Sequence, residues 1–117
     1  MQQIESLKEN YDFRRIYHKG TCLVAPMCVI YSAKGRKNRL RLGITVSKKL
    51  GGAVERNRAK RVIRAAFRAC AQNIKPGSDF VIVARTKILT VKSTDVAKVL
   101  KKQLKNAGLW CEDETDK

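Results

Sequence analysis

The sequence predicts a single α+β domain, a two-layer sandwich of helices on a sheet, from three observations. Residues 40–46 alternate apolar and polar side chains at the period of a half-buried strand. Residues 53–70 segregate apolar and cationic side chains onto opposite sides of a helix. At 117 residues the chain has material for one modest core but not for two.

In chain order, the first element is a short helix. Ser6 with Glu9 three residues on, or else Asn10, supplies its cap. Phe13, Ile16 and Tyr17 share one of its faces, and Gly20 suits its C-terminus. Residues 22–33 (CLVAPMCVIYSA) read as one apolar strand, with Pro26 marking an edge or a bulge near its start. The segment KGRKN, residues 34–38, reads as a charged hairpin turn.

The next strand is the clearest. Leu40, Leu42, Ile44 and Val46 alternate with Arg39, Arg41, Gly43, Thr45 and Ser47, so one face is core and the other is basic or small. Such a strand belongs to an open sheet with one face available to a ligand. A helix follows Gly51-Gly52 and runs to Cys70. After a break at Lys75-Pro76-Gly77 comes the strand Phe80–Arg85. The last helix starts at Ser93 with Asp95 in its first turn, uses Val96, Val99, Leu100 and Leu104 as its apolar stripe, and closes at Gly108. Residues 1–110 are expected to form the domain, and the acidic residues 111–117 a flexible tail.

Charge is what separates this chain from an ordinary small domain. The net charge is +16, and residues 34–68 carry thirteen Lys or Arg against one acid, Glu55. The other 82 residues carry thirteen bases and nine acids. Self-repulsion on that scale is explained by a polyanionic partner. Within residues 53–70, Ala59, Val62, Ile63, Ala66, Phe67 and Cys70 fall on one side of the helix. Arg56, Asn57, Lys60, Arg61, Arg64 and Arg68 gather on the other.

Five cations on about three turns repel one another unless they face phosphates, where each contact also releases counterions. Four of the five are Arg, whose planar fork binds phosphate bidentately or stacks on an unpaired base. Ser47, Lys48 and Lys49 add donors at the same corner. Structured RNA is therefore the first reading. DNA, an anionic membrane and an acidic protein are the alternatives, but no helix-turn-helix pair is visible and no large apolar face remains beyond the core.

Other chemistries find little support. Cys22, Cys28, Cys70 and Cys111 form no CxxC pair and stand apart from the lone His18, so no zinc site and no other metal site is expected. No carboxylates cluster for two metals, His18 has no nucleophile beside it, and Asp12, Asp79 and Asp95 read as turn and cap residues. No catalytic residue is assigned. The opening MQQIESLKEN has no apolar stretch of signal-peptide kind, and a cytoplasmic protein with reduced thiols is expected.

The run Gly43–Arg68, GITVSKKLGGAVERNRAKRVIRAAFR, closely resembles the signature of the bacterial ribonuclease P protein family. That signature is a strand end of Ser/Thr-Val-Ser-Lys-Lys, a Gly-Asn-Ala-Val turn, then Arg-Asn-Arg and Lys-Arg. Here the motif is Arg56-Asn57-Arg58 followed by Lys60, Arg61 and Arg64, and Asp12-Phe13, Tyr17, Gly20 and Tyr31 also match. The likeness extends over residues 6–110. Gly52 departs from it by standing where the family usually has Asn, a better helix cap by a few tenths of a kcal/mol.

The resemblance implies a mostly antiparallel four-stranded sheet and a left-handed βαβ crossover through the basic helix, opposite to the general rule. It implies the non-catalytic protein subunit of ribonuclease P, an endoribonuclease holoenzyme that removes the 5′ leader of precursor tRNA. The catalytic RNA subunit would supply the chemistry with Mg2+, the protein binding no cofactor itself. Ser47, Lys48, Lys49, Arg56, Asn57, Arg58, Lys60, Arg61, Arg64 and Arg68 would hold that RNA. Phe13, Tyr17 and Tyr31 would line a cleft for the leader, with no membrane and no DNA as partner. For Phe13 core packing is the competing role, and for Trp110 packing and cleft rim stand level. A general RNA-binding protein such as a ribosomal component shares the charge but needs no aromatic cleft.

Overall fold

A computed structural model describes residues 3–111. The elements are β1 (Ile4–Ser6), α1 (Asn10–Lys19), β2 (Thr21–Val24), β3 (Cys28–Lys34), β4 (Leu40–Thr45), α2 (Ala53–Cys70), β5 (Ser78–Ala84) and α3 (Ser93–Asn106). They form one five-stranded sheet of order β1-β4-β5-β3-β2. The α+β class is as expected. The sheet has a fifth strand and is mixed, with β1 and β5 parallel to β4 while β3 runs antiparallel to β2 and β5.

Two differences from the sequence reading have physical causes. The apolar stretch 22–33 is two strands, because Ala25-Pro26-Met27 turns back and the Ala25 N–H meets the Cys28 carbonyl at 2.9 Å. Pro26 has no N–H to give to a ladder, so it sits in the turn. Residues 34–38 are not a hairpin, since β5 lies between β3 and β4. The sequence FVIVA of β5 is apolar on both faces, which suits a central strand covered above and below. β4 and β5 are parallel neighbours joined through α2, a βαβ crossover through the basic helix as the resemblance implied.

The caps also differ. α1 begins after Glu9 with no side-chain cap, rather than from Ser6 or Asn10. Gly20 is extended (φ −79°), so no left-handed turn requires it. A Cβ there would lie 2.8 Å from the Ser32 carbonyl oxygen, and close backbone approach is its reason. For α3, the Lys92 N–H donates to Asp95 Oδ2 at 2.9 Å, the capping role expected of Asp95.

The core lies between the sheet and the α2–α3 layer. Ile63, Phe67, Leu100 and Leu104 meet Ile30, Leu40, Phe80 and Ile82 there, all fully buried. Phe67 and Phe80 pack edge to face with centroids 5.5 Å apart. Trp110 belongs to this side, pairing its backbone with Ile74 and packing on the core, with Lys101 Nζ 5.8 Å from its ring centroid. Packing, not the cleft rim, is its role. Cys28 and Cys70 are buried as expected, and burial pushes each thiol up to about 11, against the opposing pull of Arg85 and Lys101 respectively. Residues 112–117 of the acidic tail lie outside the described residues. No helix among the described residues is long and apolar enough to cross a membrane.

Candidate nucleic-acid interface

Two of the three sides of the candidate interface come from α2 and α1, and β4 joins them. Leu50 is buried and anchors the turn that follows β4, with its N–H on the Ser47 carbonyl at 3.1 Å. That leaves Ser47, Lys48 and Lys49 exposed at the N-terminal end of α2. Along α2, burial of Ala59, Ile63, Ala66, Phe67 and Cys70 fixes the helix rotation. Val62 is only partly buried. Asn57, Arg61, Arg64 and Arg68 are consequently exposed, and Lys60 is half-buried at the margin.

Two residues of the motif behave differently from the rest. Arg56 is half-buried and its Nε donates to the Gly52 carbonyl at 3.4 Å, so part of its hydrogen-bonding capacity serves the helix start. Arg58 is exposed and stands at the edge of the cationic face, about 60° around the helix from Arg61.

The aromatic cleft residues do come together. α1 crosses the other face of the sheet, where Ile16 is fully buried with Leu7 and Val81. Phe13 is half-buried over β4, and a Cβ on Gly43 would lie 2.6 Å from its ring, so only glycine admits it. Tyr17 remains 38% exposed. Its ring stands edge-on to Tyr31, with centroids 5.0 Å apart, and tilted to Phe13 at 6.5 Å. The Tyr17 hydroxyl shares a 2.7 Å hydrogen bond with Thr45 Oγ1, two residues before Ser47. Burial, followed by the Cys22 thiol beside it, holds the Tyr31 phenol above its ordinary value, so it stays neutral.

What the sequence reading missed is the charged network that fixes α1. Asp79, fully buried on β5, accepts from Arg41 Nε (2.8 Å), Arg41 Nη2 (2.6 Å) and Arg15 Nη2 (2.5 Å). Asp12 Oδ1 lies 3.3 Å from Arg15 and 3.6 Å from Arg41. Asp12 and Asp79 are thus network carboxylates rather than turn or cap residues. Arg41 is turned to this network, not to solvent, and α1 covers the strand face read as open. Burial alone would raise the Asp79 carboxyl, but the hydrogen bonds from Arg41 and Arg15 hold it below the usual carboxylate value. No local pattern announces a pair 64 residues apart. The available hints were Arg41 inside an apolar alternation and Asp79 opening an apolar strand.

Between α2 and the β1–β4 edge runs a cleft of about 640 Å³, lined on one side by Lys60, Arg64 and Arg68 and reaching Phe13. Among the described residues no three His, Cys, Asp or Glu side chains cluster to hold a metal. His18 is exposed at the end of α1.

Comparison with known proteins places this arrangement. The family model described as Ribonuclease P matches residues 1–108. The ribonuclease P protein component of an Exiguobacterium strain is 36% identical over 110 residues, covering 94% of this chain and 96% of that one. The structure of the Staphylococcus aureus RNase P protein superimposes with a TM-score of 0.78 at 35% identity, over 92% of this chain and 99% of that one. A Staphylococcus aureus RNase P protein mutant described as having defective mRNA degradation activity gives a TM-score of 0.77 at 36% identity, over 89% of this chain and 88% of that one.

Proposed function

The chain belongs to the bacterial ribonuclease P protein family and is a subunit of ribonuclease P in tRNA 5′ processing, and we propose that it binds two RNAs on two faces. The α2 face, with Asn57, Lys60, Arg61, Arg64 and Arg68 and the Ser47–Lys49 corner, holds the catalytic RNA. Arg56 and Arg58 flank that face and reach phosphates to either side of it. The cleft of Phe13, Tyr17 and Tyr31 takes the single-stranded 5′ leader of precursor tRNA. The observation that carries this reading is the convergence of three aromatics from two elements beside an exposed cationic helix, both reached along β4.

The chemistry of each face suits its ligand. Exposed guanidinium groups on successive turns match a phosphate array and release its counterions. Aromatic faces accept any base, at about 1–3 kcal/mol per base, which suits a leader of variable sequence. On this reading Mg2+ is held by the RNA, the protein has no DNA or membrane partner, and it works in the cytoplasm.

Reconstitution with a bacterial ribonuclease P RNA tests the reading. The holoenzyme should bind precursor tRNA more tightly than mature tRNA and remove the leader at low magnesium. Equal affinity for both forms would leave a general RNA binder, such as a ribosomal component. Because the Staphylococcus aureus mutant is described in terms of mRNA degradation, the protein-alone control includes an mRNA as well as precursor tRNA.

A further inference from the structure

The cleft between α2 and the β1–β4 edge differs in character from both faces just described. Its rim is Lys60, Arg64 and Arg68, which stand four residues apart on consecutive turns, rising about 6 Å each. Its floor is apolar, formed by Ile4, Leu42 and Ile44 with Phe13 at one end. Glu and Asp are absent from its lining. At about 640 Å³ it falls within the roughly 300–1,000 Å³ typical of small-molecule sites.

Phosphate binding does not account for that floor. A duplex laid on α2 reaches the cations and leaves Ile4, Ile44 and Phe13 facing water. The strand edge adds a second requirement. β1 ends its pairing at Ser6↔Leu42, and the Leu42 carbonyl accepts the Leu7 N–H at 3.0 Å. Ile44, two residues on, turns its own N–H and C=O to the same side, at the groove. One donor and one acceptor therefore stand over an apolar floor beside three cations, which together match the edge, face and phosphate of a nucleotide.

We infer that this groove receives one unpaired nucleotide of the catalytic RNA, its base on Ile4 and Ile44 and its phosphates on Lys60, Arg64 and Arg68. This rests on the reading that α2 holds the catalytic RNA. The occupant is that RNA rather than the leader because the rim is continuous with the exposed side of α2. There, Asn57, Lys60, Arg61 and Arg64 line a shallower depression.

The test fills or strips the groove without touching a cation. Ser6→Trp and Gln72→Trp place bulk into it from two exposed rim positions, and Ile4→Ala removes floor while adding nothing. With thermal midpoints shown to be retained, the Trp variants should lose about tenfold in affinity for the catalytic RNA, or about 1.4 kcal/mol. Ile4→Ala should lose about threefold and keep the wild-type slope of log affinity against log salt, since the nucleotide and its phosphate contacts stay in place. Unchanged affinity in the Trp variants overturns the inference, as does a loss confined to them, which is steric obstruction. A loss seen with a single-stranded leader oligonucleotide and not with the catalytic RNA also overturns it. Arg64→Ala separates the two readings. If it leaves the salt slope unchanged, the assignment of α2 to the catalytic RNA fails. If its slope falls while the groove variants bind normally, only the groove assignment fails.

Discussion

Replacing Asp79 by Asn tests whether the buried charge network holds α1 on the sheet. The substitution keeps shape and removes the charge opposite Arg41, whose side chain is 13% exposed, and Arg15, at 31%. Breaking a buried pair from one side typically costs about 3–5 kcal/mol. Here Asp12 remains within 3.3–3.6 Å of both guanidinium groups, and Arg15 can turn to water, so the low end applies, about 3 kcal/mol.

Urea unfolding at neutral pH measures it. With a slope of about 1–3 kcal/mol/M, the midpoint should fall by about 1–3 M. Asp12→Asn, which loses only the longer contacts, should cost less than Asp79→Asn. The acid limb gives an independent check. Because the folded-state Asp79 carboxyl is held below its unfolded value, its stabilisation is fully present above about pH 4 and is lost as pH falls through the folded value. The wild type should therefore lose stability below about pH 4 more steeply than Asp79→Asn. A variant within 1 kcal/mol of wild type, or one with the same acid limb, would refute the view that Asp79 is an essential tie.

Three further outcomes are expected. Arg64→Ala and Arg61→Ala should each lower the slope of log affinity for the catalytic RNA against log salt by about 0.7–0.9, whereas an unchanged slope identifies a merely solvated position. Tyr17→Leu and Tyr31→Leu should each cost the holoenzyme about 1 kcal/mol, near fivefold, for precursor tRNA with several leader nucleotides. The same variants should cost nothing for mature tRNA, and equal losses for both would show a folding defect. Purified protein free of RNA should leave precursor tRNA intact at any magnesium concentration, and cleavage that survives nuclease treatment but disappears in a point mutant would contradict this.

The sequence by itself determined whatever depends on neighbours along the chain. The rotation of α2 follows from a 3.6-residue period, so Ile63 and Phe67 pointed inward and Arg61 and Arg64 outward before any fold was known. The same periodicity set the stripe Val96, Leu100 and Leu104 of α3, and two-residue alternation set β4. Family resemblance, not periodicity, grouped Phe13, Tyr17 and Tyr31, whose rings the fold brings together. Tertiary structure decided what lies next to what across the chain: that β5 separates β3 from β4, that β1 adds a fifth strand, and that Asp79 meets Arg15 and Arg41. A strand's partners depend on which edges remain free after the whole chain condenses, and three residues of β1 carry too short a pattern to announce pairing. A buried carboxylate likewise gives no periodic signal, because its burial is made tolerable only by cations that the fold brings in from far along the chain.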